Sequence, residues 1–383
     1  MVPFSLSPLS LPRVAKKVSW WLVVFFWFLM LAPAQAALLL RVAIIEGVNQ
    51  VKIGTSTAAV VRDASGRTLG QIPAMSSYYA EPRGGTVALD RWQTGQIWIE
   101  PSNGGYAYIG DRWYRGRIHL VPSASSGGGG TLTAVNIVDL EQYLSSVIGA
   151  EMSPSWPQEA LKAQAVAARS YALYQRDRYG NSIYDVGDTQ AWQVYKGLES
   201  EANTTQAAVE ATKGQVLTYN GQIIEAVFHS SSGGHTENVE DVWSEPRPYL
   251  RGVPDYDAGA PVYEWNSSIS RAQLTNLMGV GNISAIKPER MSKTGRVISV
   301  RAYGSDGERL FSGEQLQRLL NLRSTLFTIN PNGNTFAIYG RGFGHGVGMS
   351  QWGAYNLARQ GYNYQQILGH YYQNSSLAKI KID

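Results

Sequence analysis

The feature that most constrains the fold is one long helical segment in a chain whose other segments are short. Residues 159–178 carry alanines, such as Ala163 and Ala167, and tyrosines that are spaced along one face of a helix. Ser155 is predicted to cap the amino end of this helix, and Pro157 suits its first turn. Because alanine side chains are small, the helix can approach another backbone closely.

The segments on either side of this helix are typical of strands joined by turns. Leu39–Ile45 is an apolar run that predicts a buried strand, and residues 96–100 alternate with a period of two. Asn220-Gly221 is a turn signal that predicts a hairpin of strands 215–219 and 222–228. A glycine-rich tract at 125–130 separates two runs that predict a long hairpin. The chain is therefore predicted to be α+β, with mostly antiparallel strands and one prominent alanine-rich helix.

The first 36 residues have the pattern of an export signal. Arg13, Lys16 and Lys17 precede the apolar run Val18–Ala32, and Ala34-Gln35-Ala36 is an A-x-A cleavage pattern. The apolar run is shorter than the roughly 20 residues that a spanning helix needs, so cleavage after Ala36 is favoured over an uncleaved anchor. In both cases the rest of the chain is expected outside the cytoplasm, in the periplasm or the cell wall.

Composition excludes several classes of function. The chain has no cysteine, which removes disulfides, thiolate nucleophiles and cysteine-ligated metal clusters. Its net charge of +4 comes mostly from the first 36 residues, which contain three basic residues and no acid. The remaining chain is nearly neutral and has no electrostatic footprint for DNA or RNA.

Glu151 is the most informative acidic residue. It follows the apolar run Val147–Ala150 and precedes the predicted helix. Apolar surroundings disfavour a carboxylate and raise its pKa, which suits a general acid that works near neutral pH. The alternative is that Glu151 only caps the turn at Pro154–Pro157. Nothing local selects a carboxylate partner for it from Asp185, Asp188 and Asp241, and the chain has no G-x-S-x-G nucleophile elbow.

Two glycine-bracketed segments are the other candidates for a site. His229–Thr236 follows an apolar strand, and two histidines in it, His229 and His235, are weak candidates for zinc ligands, with Glu237 or Asp241 as a third ligand. Hydrogen bonding to a sugar, or shaping of the loop, is the alternative. In the second segment, 340–351, alternating glycines let the backbone approach a ligand closely, but no nucleotide-binding motif fits.

Four segments together resemble the sporulation stage II protein D family (SpoIID/LytB domain). The family's core signature resembles residues 144–172, which include Glu151-Met152 and the start of the alanine-rich helix. Residues 193–197, 228–236 and 342–354 match further family segments in the same order. The similarity covers roughly Leu38 to Tyr372. After the predicted signal peptide or anchor at 1–36, the similarity suggests a β-rich part at 37–130 with an elaboration around 53–113, and a catalytic core at 131–375.

The resemblance implies a lytic transglycosylase that cleaves peptidoglycan glycan strands, with Glu151 as the catalytic residue. No cofactor is expected, although a metal is associated in some members with a region that matches His229–His235; the family's metal ligands include cysteines, which this chain lacks, so zinc is only a weak candidate. Some members are described as enhancers of wall amidases, so a non-catalytic wall-binding protein that acts with other cell-wall hydrolases is the alternative function. Six residues are predicted to line a glycan-binding cleft, and Gln164 and Arg169 to support its loops. The six are Gln193, Tyr195, Ser230, Ser232, His345 and Gln351.

Overall fold

The computed structural model describes residues 37–123, 130–243 and 245–380. The predicted signal peptide and most of the glycine-rich tract lie outside these residues. Within them the chain is a strand-rich α+β protein, which confirms the predicted class. None of the helices in these ranges is long and apolar enough to cross a membrane.

The first part of the fold is two β-sheets that share a hydrophobic core. A seven-stranded sheet has the order β13-β1-β12-β11-β8-β3-β4, and a six-stranded sheet has the order β10-β9-β2-β5-β6-β7. The predicted long hairpin is present as β11 and β12, which pair antiparallel from Arg117↔Ile137 to Ser123↔Thr131. Residues 53–113 supply strands to both sheets. The strands are β1 Leu39–Val48, β2 Val51–Thr55, β3 Ala59–Asp63, β4 Thr68–Ile72, β5 Ser77–Arg83, β6 Thr86–Leu89, β7 Trp92–Thr94, β8 Ile97–Pro101, β9 Ala107–Ile109, β10 Arg112–Tyr114, β11 Arg117–Ser123, β12 Thr131–Asp139 and β13 Val186–Gly187.

Two helices, α1 (Leu140–Glu151) and α2 (Gln158–Tyr179), follow the sheets. Asp139 caps α1 by accepting hydrogen bonds from two backbone N–H groups of its first turn. The amino end of α2 was predicted wrongly, because Pro157 and not Ser155 occupies the cap position and no side chain caps it. The alanines of α2 divide between two cores, with Ala165 on the side of the β-sheets and Ala163 on the other. Small side chains on both faces allow both cores to pack closely against α2.

The rest of the chain builds the second core and a smaller module with its own core. In the module, residues 258–348, the sheets β17-β22-β21 and β18-β19-β20 enclose a third hydrophobic cluster. The remaining elements are a 3₁₀ turn Gly197–Ser200, α3 Asn203–Ala211, β14 Gln215–Tyr219, β15 Gln222–Ile223, β16 Phe228–His229, α4 Val239–Val242, β17 Glu264–Ser270, α5 Arg271–Met278, β18 Ile283–Met291, β19 Val297–Gly304, β20 Gly307–Ser312, α6 Gly313–Leu319, β21 Phe327–Asn332, β22 Thr335–Arg341, β23 Met349–Ser350, α7 Gln351–Arg359, α8 Tyr364–Tyr371 and β24 Ser376–Lys379.

Candidate active site

A cleft of about 500 Å³ lies where the end of α1 meets the two glycine-bracketed segments. One wall comes from α1, α2 and the segment 190–194, and the other comes from residues 227–230 and 343–345. The lining is mainly aromatic and uncharged. It consists of Ala150, Glu151, Tyr171, Gln190, Ala191, Trp192, Val194, Val227, Phe228, His229, Ser230, Trp243, Phe343, Gly344, His345 and Gln351.

Glu151 is the one carboxylate among the described residues that line this cleft. Its Oε1 accepts a hydrogen bond of 2.9 Å from the backbone N–H of Val194. Burial raises the pKa of Glu151 above its usual range, and this effect exceeds the opposing effects of the Val194 N–H and the Gln351 amide. The side chain is therefore partly buried, held at one oxygen and easier to protonate than a free glutamate.

The close packing of α1 fixes the position of Glu151. Gly149 lies against the 3₁₀ turn, so a Cβ at this position would fall 1.8 Å from the carbonyl oxygen of Ser200. Ser200 also donates a hydrogen bond to the backbone carbonyl of Ser146, one turn earlier in α1. Gly149, two residues before Glu151, therefore lets the end of α1 pack directly against the 3₁₀ turn.

A short parallel pairing brings the two glycine-bracketed segments together. Strand β16 pairs with β23, so that Phe228 lies opposite Met349 and His229 lies opposite Ser350. Gly344 has a φ of +107°, and a Cβ there would fall 2.8 Å from the Cβ of His229. Only glycine fits this close approach without strain. The pairing brings both segments to the cleft that Glu151 lines.

The two cleft histidines are neutral and hydrogen-bonded to backbone. Nδ1 of His345 accepts from the N–H of Val347, so Nε2 carries the proton and donates to the carbonyl of Phe228. Burial lowers the pKa of His345 to about 4. Nδ1 of His229 donates to the carbonyl of Val347, and its Nε2 has no hydrogen-bond partner among the described residues. The lone pair on Nε2 of His229 is therefore unpaired and buried in the wall of the cleft.

The donors in this region do not fit a zinc site. The described residues contain no group of three His, Cys, Asp or Glu side chains that could hold a metal ion. Both ring nitrogens of His345 are engaged, and His235 lies outside the cleft lining, with Nδ1 hydrogen-bonded to the carbonyl of Thr236. Glu237, suggested as a third ligand, is buried in an ion pair with Arg296.

The structure brings some of the predicted substrate-binding residues to the cleft and leaves others outside it. Ser230, His345 and Gln351 line the cleft together with Glu151. Gln351 is 6% exposed, and its amide lies close enough to Glu151 to lower the pKa of that carboxyl group. This amide is therefore a direct polar neighbour of Glu151.

Gln193, Tyr195 and Ser232 are buried outside the lining. The Gln193 amide joins the hydroxyl of Tyr143 to the carbonyl of Ala168, and the Tyr195 hydroxyl donates to Asn136. The Ser232 hydroxyl donates to Asp255 at 2.6 Å. The observed contacts of these three residues hold the walls of the cleft together, and their predicted contact with substrate stays a prediction.

The two predicted supporting residues have different surroundings. Arg169 is fully buried and forms two hydrogen bonds with the carboxylate of Glu141 in α1 and one of 3.0 Å with the carbonyl of Gln215. It therefore connects α1, α2 and β14 rather than the glycine-bracketed segments. Gln164 is also fully buried, and neither of its amide atoms is hydrogen-bonded within the described part of the chain.

Arg296, which the sequence did not single out, supports both glycine-bracketed segments from behind. Its Nη2 donates to the carbonyl of Ser232 at 2.6 Å, and its Nε lies 3.4 Å from Oε1 of Glu237. The guanidinium also lies flat on Gly346, where a Cβ would fall 2.4 Å from its Cζ. The positive charge of Arg296 lowers the pKa values of His229 and His345, although burial is the larger cause. No local pattern distinguishes this arginine from the nine other basic residues of the module.

We expect Arg296→Met to displace both glycine-bracketed segments, because the guanidinium supports them from behind. The pKa values of both histidines, followed by NMR, should rise in Arg296→Met because the cation that lowers them is removed. Arg296→Lys should recover part of this change. Since Arg296→Met leaves Glu237 buried without its partner, the double variant Glu237→Gln/Arg296→Met serves as the folding control. Unchanged histidine pKa values, with unchanged NMR shifts in both segments, would show that Arg296 positions nothing.

The fold and the cleft define a class of α+β proteins in which one glutamate at a helix end faces two glycine-rich segments. Residues 128–219 match the family profile described as Stage II sporulation protein, and residues 258–348 match a domain of unknown function. The stage II sporulation protein D of Bacillus subtilis is 34% identical over 266 residues, which are 64% of this chain and 76% of that protein. The chain belongs to the stage II sporulation protein D family, as its motifs predicted.

Other relatives carry different names. An uncharacterized protein of Brachyspira hyodysenteriae is 38% identical over 251 residues, which are 63% of this chain and 67% of that protein. A Bacillus subtilis protein named amidase enhancer is 32% identical over 290 residues, which are 61% of this chain and 40% of that protein.

Proposed function

We propose that this protein is an exported lytic transglycosylase that cleaves the glycan strands of peptidoglycan, with Glu151 as its acid and base. The observation that supports this most directly is the isolation of Glu151. It is the one carboxylate among the described residues of the cleft, and its pKa is raised. A reaction that needs one carboxyl group, protonated at its start, fits this arrangement.

The reaction follows from the two protonation states of this carboxyl group. Protonated Glu151 donates its proton to the glycosidic oxygen as the bond between that oxygen and C1 breaks. The leaving sugar keeps this proton on its new hydroxyl group. The resulting carboxylate accepts the proton of the C6 hydroxyl as O6 bonds to C1 and closes the 1,6-anhydro ring. Glu151 ends protonated again, and no water is consumed.

The other carboxylates considered from sequence are engaged elsewhere. Asp185 pairs with Arg41, and Asp241 accepts a hydrogen bond from Asn238. Asp188 is half-buried and lies outside the cleft lining. A hydrolase that activates water would need a second carboxylate near the scissile bond. The described residues of the cleft supply none, which favours an internal hydroxyl over water as the nucleophile.

The remaining polar groups of the cleft suit a neutral sugar. Ser230 and Gln351 line the cleft, and the Gln351 amide lies beside Glu151. Aromatic rings such as Trp192 and Trp243 provide faces for stacking. We assign Ser230 and Gln351 to hydrogen bonds with sugar hydroxyl and acetamido groups, and His229, whose Nε2 is buried, to the shape of the cleft wall. His345 shapes the cleft through its two backbone hydrogen bonds.

The direct test is the product released from purified sacculi. We expect muropeptides with 1,6-anhydro ends, and we expect a metal chelator to leave the rate unchanged. Loss of activity with chelator, together with bound zinc, would favour a metal hydrolase instead. A second candidate is a wall-binding enhancer of amidases, which the named relative suggests. In that case Glu151→Gln should still stimulate an added amidase, and no anhydro ends should form.

The raised pKa of Glu151 predicts the pH dependence of the reaction. The free enzyme is active while Glu151 is protonated, so kcat/KM should fall about tenfold per pH unit as the pH rises above that pKa. Because the Gln351 amide lowers the pKa of Glu151, Gln351→Leu should move this falling limb to higher pH. Gln190→Leu, which removes another cleft amide, is the matched control and should leave the limb in place. A rate that rises across the same range would contradict the assignment of an acid.

A further inference from the structure

A second groove lies on the 258–348 module and shares no lining residue with the cleft. Its volume is about 580 Å³, and strands β17, β21 and β22 form most of its surface. It combines two aromatic rings, Trp265 and Tyr339, with polar side chains such as Asn266 and Thr328. Aromatic rings beside a few hydrogen-bonding groups are typical of sites for small organic ligands and sugars.

The aromatic rings of this groove are presented to solvent on a rigid support. Tyr339 is 59% exposed on β22. Trp265 lies flat against Gly340, where a Cβ would fall 2.2 Å from its ring, and its Nε1 donates to the carbonyl of Gly342 at 2.9 Å. A side chain at position 340 would displace the indole. The glycine therefore keeps Trp265 in place as a fixed surface at the groove.

The groove is connected to the cleft through the chain itself. Arg341 lines the groove, and Phe343, two residues later, lines the cleft. On the neighbouring segment, the carbonyl of Arg323 accepts a hydrogen bond from the N–H of Gly344, another cleft residue. Residues 341–344 therefore form a boundary shared by the groove and the cleft.

The module around this groove is basic. Residues 258–348 contain ten Lys and Arg residues and five Asp and Glu residues, in a chain that is otherwise acidic beyond its first 36 residues. The exposed cations Lys293, Arg323 and Arg341 form no ion pair with the described residues, whereas Arg301 and Arg318 do. The charged side chains that line the groove itself are Arg341 and Glu264, which occupy paired positions of β22 and β17. The excess of five cations in the module as a whole complements a ligand with carboxylate groups.

We propose that this groove binds a carboxylate-bearing stretch of a glycan strand, next to the stretch that occupies the cleft. The proposal rests on the proposed function, because it takes the same polymer as ligand. Alternate sugars of peptidoglycan carry a lactyl carboxyl group, free where the stem peptide is absent. Sugar faces stack on Tyr339 and Trp265, and a lactyl carboxylate pairs with Arg341. The groove then favours long strands with free carboxylates over short ones.

Binding is measured in the Glu151→Gln background, so the substrate is not consumed. The ligands are long glycan strands freed of stem peptides and, separately, a tetrasaccharide from the same strands. Tyr339→Ala and Arg341→Ala should each weaken binding of long strands about tenfold and should weaken binding of the tetrasaccharide much less. Tyr79→Ala, an exposed tyrosine of β5, and Arg309→Ala, an exposed arginine of the same module, are matched controls that should bind as Glu151→Gln alone does.

Several outcomes would overturn the proposal. Unchanged binding of long strands by both groove variants would mean that the groove holds another ligand, such as a partner protein. If Arg309→Ala weakens binding of long strands as much as Arg341→Ala does, the binding depends on the overall charge of the module and not on the groove. The proposed function is tested by a different assay. It fails if the unmutated protein releases no anhydro products from sacculi. The binding experiment uses Glu151→Gln variants and does not require anhydro products to form.

Discussion

Replacement of Glu151 by glutamine is expected to lower the release of anhydro products from sacculi by about 10³-fold. Glutamine keeps the size of the side chain and can still accept the Val194 hydrogen bond, but it has no proton to donate. General acid and base catalysis accounts for about 10²- to 10⁴-fold in rate per positioned group, and Glu151 serves in both steps. The measurement is the initial rate of anhydro product formation, quantified by mass spectrometry.

A matched control separates this effect from loss of a buried carboxyl group in general. The pKa of Glu225 is also raised by burial, and its side chain lies outside the cleft lining. Glu225→Gln should therefore retain close to the full rate. Thermal unfolding should show that both variants are folded. If Glu151→Gln forms anhydro products at close to the original rate, Glu151 is not the acid and base of the reaction.

The largest effect on stability is expected from Arg169→Met. Arg169 is fully buried, and its removal leaves the Glu141 carboxylate, 17% exposed, without its cation. The backbone carbonyl of Gln215 also loses a donor. Removing one partner of a buried ion pair costs roughly 3–5 kcal/mol, so we expect a decrease of about 3 kcal/mol in the free energy of unfolding. Denaturant titration followed by circular dichroism measures it.

The double variant Glu141→Gln/Arg169→Met tests the cause of this decrease. If the unpaired carboxylate is responsible, neutralising it should recover a substantial part of the lost stability, because the remaining groups carry no charge. A double variant that is less stable than Arg169→Met alone would instead assign the effect to packing. The pair Arg62 and Glu100 is half-buried on β-strands, and Glu100 also pairs with Arg117, so Arg62→Met should change the stability by less than about 1 kcal/mol.

Features of the fold that depend on neighbours in sequence were predictable. The long helix, the hairpin between residues 117 and 137 and the Asn220-Gly221 turn all follow from local patterns. The raised pKa of Glu151 also follows from its apolar neighbours, because burial is the largest cause of the shift. These predictions required no knowledge of how distant segments pack.

Features that depend on long-range pairing were not predictable. Residues 222–228 were predicted to be one strand of a hairpin, but that strand ends at Ile223, and Phe228 pairs in parallel with Met349 instead. No pattern of one strand specifies a partner more than 100 residues away. This pairing places the two glycine-bracketed segments together, so the shape of the cleft could not be derived from sequence.

Polar residues near the motifs were also hard to assign from sequence alone. Tyr195 and Ser232 have hydroxyl groups that suit a sugar ligand, but in the fold each satisfies a buried partner, Asn136 and Asp255. A buried carboxylate or amide needs such a donor as much as a substrate does. Sequence cannot distinguish these two uses, because the buried partners lie 59 and 23 residues away along the chain.

The most direct test of the single-carboxylate reaction is a digest of glycan strands in water enriched in oxygen-18. An internal C6 hydroxyl closes the ring without using solvent, so the new ends should be anhydro sugars that contain no oxygen-18. New reducing ends that form in place of anhydro ends, in step with strand cleavage, would show that water attacks C1. That result would contradict the proposed reaction and would require a second group in the cleft to activate water.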